Sequence, residues 1–210
     1  RRIPALVAKV RKALEGVRMT PRMESAADDA RILARQVEDL RSQQRALSGV
    51  LRAMARAEGL QPVLDEVLEA AKRLCDAEHA QLYLAEGDLF VIVSTDRSAE
   101  PAYDHSARHP HAKDRTSVTG RVALTGQTVQ IPDVLDDAEY SDGAQQIVRY
   151  RALLGVPILL EGELIGVINV GRDRPGVFAD HHVELVETFA DQAAIAIANA
   201  RAFQAIERQR

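Results

Sequence analysis

The sequence predicts an α+β fold in which helices flank a mostly antiparallel sheet. Two long apolar segments, at 152–160 and 163–171, read as strands, and only Glu161 and Gly162 lie between them. Two residues can close a hairpin but are too few for a parallel crossover, so these strands pair antiparallel. Long amphipathic helices are predicted at both ends of the strand-rich region. This pattern excludes a simple doubly wound nucleotide-binding fold here.

A coiled-coil helix is predicted over residues 20–58, after a short linker helix within residues 1–19. Thr20 can cap the longer helix, with Pro21 in its first turn. Its apolar residues recur at alternating spacings of four and three, the a/d pattern of a coiled coil. We favour a parallel homodimer, in which Gln44 at an a position sets the register, over a single helix packed on its own domain. The residues expected at this interface are Leu33, Val37, Leu40, Gln44, Leu47, Leu51 and Met54.

Another amphipathic helix and two strands are predicted next along the chain. Apolar residues at helical spacing predict the helix at 61–76. Apolar residues on alternating positions predict strands at 79–85 and 89–95, joined by a turn at Glu86-Gly87-Asp88. The segment that follows, 96–115, is polar and contains proline and histidine, so it is interpreted as a loop.

Short elements separate this first strand pair from the apolar hairpin, and a long helix follows the hairpin. They are a helix at 118–125, a strand at 128–131, a turn and a helix within 133–150 that carries Ile147, Val148 and Tyr150, and a helix from Asp180 to the C-terminus.

Charge and cysteine content limit the class of protein. The net charge is −4, with +6 on residues 1–23 and −10 on the remainder. The basic segment could contact nucleic acid or membrane, but we favour a solvated helix face, and the acidic remainder argues against a nucleic-acid-binding domain. No apolar run approaches the roughly 18 residues that span a bilayer. A single cysteine, Cys75, cannot form an intramolecular disulfide, so we expect a cytoplasmic protein. From the charge and the apolar runs we expect neither nucleic-acid nor membrane partners.

Five segments between residues 60 and 200 occur in an order that resembles GAF domains, the small-molecule sensor modules of signalling proteins. The resemblance implies a six-stranded antiparallel sheet with a ligand pocket on one side and helices on the other. It also implies membership in a bacterial sensor histidine kinase, nucleotide cyclase, phosphodiesterase or regulator, with the sensor kinase or cyclase type favoured. Residues 201–210 would then begin the helix that leads to an output domain in the same chain. The segments are R-L-C-D-A-E-H-A-Q-L-Y-L, T-G-R-V-A, I-P-D-V, G-V-P-I and F-x-D-x-x-V-E-L-V-E-T-F-A-D-Q-A-A-I-A-I-A-N-A.

The elements that face the ligand in this family carry the candidate pocket residues. Tyr140 and Tyr150 each offer a ring and a hydroxyl, a combination typical of small-molecule sites. The alternative, that both tyrosines fill the same space as core, is equally compatible with the sequence. The candidate pocket residues are Ser117, Asp133, Tyr140, Ile147 and Tyr150.

Catalytic and cofactor chemistry finds little support in the sequence. GAF-like methionine sulfoxide reductases use several cysteines, and bilin-binding GAF domains use a Cys-His pair in a different place, so Cys75 is expected to be a buried structural residue. His105, His109 and His111 could ligate haem or a metal, but we favour solvated loop residues. Asn169 is followed by valine, so the Asn-Lys signature of many cyclic-nucleotide GAF domains is not met.

The prediction is therefore a non-catalytic sensory module without a metal site. It would bind a small molecule of unknown identity, with haem and bilin disfavoured, and relay the signal through dimeric helices. The alternative is a ligand-free GAF domain that serves only in dimerisation and relay.

Overall fold

The structure of the protein is a computed structural model that describes residues 60–95 and 100–208. The predicted linker helix and coiled coil, with all seven heptad residues from Leu33 to Met54, lie outside the described residues. Their dimer interface therefore stays a prediction.

The described part contains five helices and six strands, numbered in chain order. The helices are α1 (Leu60–Leu74), α2 (Glu100–Arg108), α3 (Val118–Thr125), α4 (Ala144–Val148) and α5 (Asp180–Arg208). The strands are β1 (His79–Glu86), β2 (Leu89–Thr95), β3 (His111–Ala112), β4 (Val129–Ile131), β5 (Ala152–Leu160) and β6 (Glu163–Arg172).

Within the described residues, the six strands form one antiparallel sheet in the order β3-β2-β1-β6-β5-β4. The predicted hairpin of β5 and β6 is confirmed. Its turn residues Glu161 and Gly162 have φ angles of 52° and 85°. Two positive φ angles match the right-handed twist of the flanking strands, which is why a two-residue connection suffices. The α+β class and the six-stranded antiparallel sheet are both confirmed.

Helices α1 and α5 pack together on one face of the sheet and enclose the larger core. In α1, Val63, Leu64, Val67 and Leu68 are all buried, in agreement with the predicted amphipathic pattern. They contact a core cluster that also holds alternate residues of β1, among them Leu82, and much of the inner side of α5. No helix among the described residues is long and apolar enough to cross a membrane.

Arg172, at the end of β6, joins the end of α1 to the start of α5. Its guanidinium donates to Cys75 O at 2.5 Å and to Asp76 O at 3.1 Å, just beyond the last residue of α1. The same group lies 4.1 Å from the centroid of the Phe178 ring and 3.3 Å from His182 Nδ1, in the first turn of α5. Arg172 therefore satisfies carbonyls at one helix end while it contacts the other helix.

Two predicted assignments are corrected by the structure. The predicted loop at 96–115 contains helix α2 and strand β3, and β3 pairs with the start of β2. The predicted helix that was to carry Tyr150 ends earlier, because Arg149 adopts a left-handed conformation with φ 58°. Tyr150 lies beyond that helix, where its side chain is buried.

Candidate functional site

The face of the sheet opposite α1 and α5 is covered by the lid, which we define as α2, α3, α4 and their connecting loops. Ser117 caps the start of α3, where its hydroxyl accepts a hydrogen bond from Gly120 N at 3.0 Å. Gly126 ends α3 in a left-handed conformation and donates its N–H to Val122 O at 2.7 Å. The two caps fix the length of the helix that lies over β5.

Helix α3 approaches the sheet closely at Gly155, in the middle of β5. A Cβ atom at this position would lie 2.8 Å from Val118 Cγ2 and 2.9 Å from Val122 Cγ2. Both valines are buried, so only a residue without a side chain allows α3 to come this near to the strand. Gly155 pairs with Asn169 of β6, so the close approach lies beside a buried polar side chain.

Two buried amide side chains, Gln81 of β1 and Asn169 of β6, lie directly opposite each other on the lid-facing side of the sheet. We call them the amide pair. They are 8% and 5% exposed. The Tyr83 hydroxyl donates to Gln81 Oε1 at 3.2 Å, and Asn169 Nδ2 donates to Thr119 Oγ1 at 2.8 Å.

One polar atom of each amide has no hydrogen-bond partner among the described residues: Gln81 Nε2, a donor, and Asn169 Oδ1, an acceptor. A buried polar atom without a partner costs roughly 1–3 kcal/mol of folding free energy, so the amide pair destabilises the fold unless another group satisfies it. Turning either amide over still leaves one of its polar atoms unpaired, because the hydroxyls of Tyr83 and Thr119 can each donate or accept.

Three tyrosines from β1 and the lid, Tyr83, Tyr140 and Tyr150, form what we call the tyrosine cluster. The hydroxyls of Tyr140 and Tyr150 lie 2.8 Å apart, and both also lie within 3.4 Å of Asp142 Oδ2. Their rings meet edge to face, with centroids 6.4 Å apart. The lid thus presents two hydroxyls and one carboxylate in a single hydrogen-bonded group, on the side of the sheet that carries the amide pair.

His111 links the tyrosine cluster to the outer edge of the sheet. Its ring centroid lies 4.9 Å from that of Tyr83, and its Nε2 lies 3.7 Å from Asp142 Oδ2. Burial lowers the pKa of His111, although the Asp142 charge opposes this shift, so the imidazole is neutral at pH 7. The interpretation of all three loop histidines as solvated is therefore wrong for His111, whose strand was not anticipated.

Burial and the charge of Asp142 both act on the three tyrosines of the cluster. Burial raises the pKa of Tyr83, Tyr140 and Tyr150, and the charge of Asp142 raises all three further, so the phenols stay neutral. Among the described residues, no lysine or arginine bonds to the tyrosine cluster, to Asp142 or to the amide pair. The carboxylate charge that acts on all three phenols is that of Asp142.

Part of the lid, residues 133–139, is held by arginine side chains, and we call it the acidic loop. Its pairs are Asp133 with Arg151, Asp137 with Arg121, and Glu139 with Arg115. The contact of Arg121 is two-pronged, with nitrogens 2.5 and 2.9 Å from the two oxygens of Asp137. The arginines hold the pKa of all three carboxyls below their usual values.

The structure brings together two of the five predicted pocket residues, Tyr140 and Tyr150. Ser117 is buried as the cap of α3, and Asp133 belongs to an ion pair at the acidic loop. Ile147 is 42% exposed on α4 and lies outside the buried clusters. Ligand binding by any of the five stays a prediction.

Sequence reasoning missed Gln81 and Tyr83, and it named Asn169 and His111 without placing them at this site. A signal existed for Gln81 and Asn169, because each is a polar residue in the middle of a strongly apolar strand. No such signal marked His111, since its burial depends on pairing with Phe90 across β2 and β3.

Cys75 is completely buried against the core on the other side of the sheet, and burial raises its pKa to about 12. The predicted structural placement of this thiol agrees with the structure. Within the described residues, no group of three or more histidine, cysteine or acidic side chains is arranged to hold a metal ion.

Comparisons with known proteins place this fold among solved GAF domains. The GAF domain of a phosphoenolpyruvate-protein phosphotransferase from Coxiella burnetii superposes with a TM-score of 0.66 at 20% identity, covering 78% of this chain and 97% of that chain. A free methionine-R-sulfoxide reductase from Neisseria meningitidis, solved with its substrate, superposes with a TM-score of 0.62 at 16% identity, covering 76% of this chain and 90% of that one. At these identities the likeness concerns the fold.

Curated relatives are larger proteins. A probable 3',5'-cyclic phosphodiesterase from Caenorhabditis elegans is 24% identical over 181 residues, which cover 80% of this chain and 25% of the relative. A dual 3',5'-cyclic-AMP and -GMP phosphodiesterase from Takifugu rubripes is 28% identical over 150 residues, covering 65% of this chain and 16% of the relative. The chain thus spans a quarter or less of the length of these relatives.

The family model of the GAF domain matches residues 57–198. This range contains the whole sheet, the lid, the amide pair and most of the helix layer. GAF domains are regulatory and sensory modules of a small-molecule-binding family, and this chain belongs to the GAF domain family.

Proposed function

We propose that the chain is a non-catalytic sensory module that binds a small molecule between the lid and the sheet. The observation that carries this proposal is the amide pair, whose two unpartnered atoms lie on the lid-facing side of the sheet. Buried polar atoms without a protein partner are available to hydrogen-bond a polar ligand. The tyrosine cluster adds hydroxyls and aromatic surface on the same side.

Binding requires the lid to move, because α3 rests directly on Gly155. A ligand that fits one lid position better than the other shifts the equilibrium between the two positions by its differential affinity. The lid contacts one face of the sheet, and α1 and α5 pack on the other. A displacement of Gly155 moves β5 and a displacement of Asn169 moves β6, and α5 packs against both strands.

We further propose that the shift passes through dimeric helices to an output domain. The heptad from Leu33 to Met54 supports a homodimer before the domain, and α5 continues away from it at the other end. A cytoplasmic bacterial two-component protein or cyclase would use such a module, and a sequence with a single cysteine, which cannot form an intramolecular disulfide, fits a reducing compartment.

The non-catalytic part of the proposal is supported by the chemistry of the site. The tyrosines are held neutral by burial, and Cys75 lies on the opposite side of the sheet with its pKa raised to about 12. A thiol with that pKa is a poor nucleophile at neutral pH.

One observation favours a second function, a ligand-free relay domain. Val118 and Val122 of α3 fill the space over Gly155, and Tyr140 bonds directly to Tyr150, so the side chains of the lid themselves pack against the sheet there. In this case the amide pair would be a structural cost that the rest of the core outweighs.

Native mass spectrometry separates the two functions. The purified chain is incubated with a small-molecule extract of the expression host, passed through gel filtration, and weighed alongside its absorbance spectrum. We expect added mass that is released on denaturation in wild type and in Asn199→Leu, an exposed control, and is lost in Asn169→Leu. Bare mass in every sample refutes the sensor and supports the relay domain.

A further inference from the structure

A cavity of about 440 Å³ opens at one end of the sheet, between the β1–β2 turn and the start of β6. Its volume lies within the range of about 300–1,000 Å³ that is typical of small-molecule sites. No residue of the amide pair or of the tyrosine cluster lines it, so it is separate from the site between lid and sheet. We call it the end cavity, and its wall includes Ala85, Lys113, Ala123, Glu163, Leu164 and Arg201.

The end cavity lies where two hairpins of the sheet part. The pairing of β1 with β6 ends at Leu84 opposite Gly166. Beyond this point, β1 continues to Glu86 in pairs with β2, and β6 begins at Glu163 in pairs with β5. Each of these strand ends is therefore paired on one side only, and the cavity takes part of its wall from both of them.

Apolar side chains supply part of this wall. Phe90 and Ile165 are buried, and Ala85, Ala123 and Leu164 are half-buried. Carbon surface that water still reaches in a cavity gains free energy when an apolar group covers it. The end cavity therefore favours a ligand with an apolar part.

Charged side chains complete the wall. Lys113, which follows β3, and Arg201 of α5 are positive, and Glu163 is negative, so two cations and one carboxylate give this wall a net charge of +1. The whole chain carries −4. Among the described residues, none of these three side chains forms an ion pair. The cavity thus offers a locally positive surface on an acidic protein, which suits an anionic group.

The end cavity is open without any movement of the lid. A Cβ atom at Gly87 or at Gly126, two glycines of its wall, would meet no atom within 4 Å. The wall also includes Ala123 of α3 and Arg201 of α5, and these two helices belong to the lid on one face of the sheet and to the helix layer on the other. A molecule in this cavity would contact the lid and the helix layer at once.

We propose that the end cavity binds a small soluble carboxylic acid with an apolar body. Lys113 and Arg201 balance its carboxylate, and its apolar body covers Ala123 and Leu164. A monoanion matches the net charge of the wall, whereas a phosphate monoester, with about −1.5 to −2 charges at pH 7, is opposed by Glu163. The bound acid adds a contact between α3 and α5 that the sheet does not provide.

Isothermal titration calorimetry of the full chain at low salt tests the proposal with matched probes. The acids 3-phenylpropionate and octanoate are each compared with the amide and the amine of the same carbon skeleton. We expect at least one acid to bind, at least tenfold more tightly than its amide and its amine, and to weaken as salt screens the exposed charges. Failure of both acids to bind overturns the proposal, and so does an amide or amine that binds as tightly as its acid.

Variants assign the binding to the end cavity through opposite signs. Lys113→Gln and Arg201→Gln should each weaken the acid at least threefold, and Glu163→Gln should tighten it at least twofold, because exposed charges act modestly through water. Arg73→Gln and Glu184→Gln make the same changes in net charge at exposed positions away from the cavity and should leave the affinity unchanged. Equal effects of the cavity variants and their controls refute the assignment, and circular dichroism confirms that all variants are folded.

Two further measurements separate this site from its alternatives. Asn169→Leu, which alters the site between lid and sheet, should leave the affinity for the acid unchanged, and loss of acid binding in that variant would move the acid to that site and overturn the proposal. Binding to phosphatidylglycerol vesicles that depends on Lys113 and Arg201, without binding of either free acid, would replace the soluble ligand by a membrane surface and also overturn it.

Discussion

One added methyl group, in Gly155→Ala, tests how closely the lid rests on the sheet. The new Cβ would lie 2.8 Å from Val118 Cγ2 and 2.9 Å from Val122 Cγ2. Carbon atoms in contact prefer about 3.5–4.0 Å, so each contact is short by more than half an ångström. Both valines are buried in a helix, where a β-branched side chain has one strongly preferred rotamer and cannot turn aside.

The expected magnitude follows from two opposing effects. Forcing a methyl group into a packed core costs about 1–3 kcal/mol. Replacing glycine in a compatible conformation recovers about 0.4–1 kcal/mol through the unfolded chain. We therefore expect Gly155→Ala to lower the free energy of unfolding by about 1–2 kcal/mol, measured by urea unfolding of the full chain.

A double-mutant cycle isolates the contact. Val122→Ala removes one of the two methyl groups that the new Cβ would meet, so Gly155→Ala should be less harmful in that background by at least about 0.5 kcal/mol. If Gly155→Ala does not lower the free energy of unfolding, or if the effects of Gly155→Ala and Val122→Ala are additive, then α3 does not pack against β5 at Gly155. The reasoning about the closed lid would then fail.

Three further outcomes are expected. The carboxyls of the acidic loop have lowered pKa values in the folded protein, so their contribution to stability is complete above about pH 4 and is lost as the pH falls through the folded values. The difference in urea midpoint between wild type and Asp137→Asn should therefore be constant from pH 5 to 8 and shrink in acid. A difference that stays constant at every pH would contradict the ion-pair account. Cys75, with its pKa raised to about 12, should react with a disulfide reagent at pH 8 only after the protein unfolds, and fast reaction in the folded protein would contradict its burial. The Cys75→Ala variant should keep the fold and ligand binding. Replacing Leu40 and Leu47 together with Glu should give monomers by sedimentation, whereas Ser42→Glu between them should not; a dimer that survives the double change removes the heptad as the interface.

The strongly patterned elements of the fold were predictable from sequence. The hairpin of β5 and β6 followed from two apolar runs and a two-residue turn, and α1 from its apolar face. Helix α2 was not predictable, because its residues are mostly polar and Pro101 suggested a loop rather than a helix start.

The candidate site was only half predictable. Tyr140 and Tyr150 stood out as aromatic residues in ligand-facing segments, and they do lie together. Gln81 and Asn169 are far apart in the chain, and only the pairing of β1 with β6 makes them neighbours. Local patterns carry no information on such register, which depends on the whole sheet.

The position of Arg172 has a mechanical consequence. One guanidinium donates to the carbonyls after α1 and lies against the aromatic ring before α5, so these two helix ends are tied together in addition to the packing of the helices on the sheet. A rotation of either helix about its axis would therefore strain the same arginine contacts, and this coupling involves no residue of the lid.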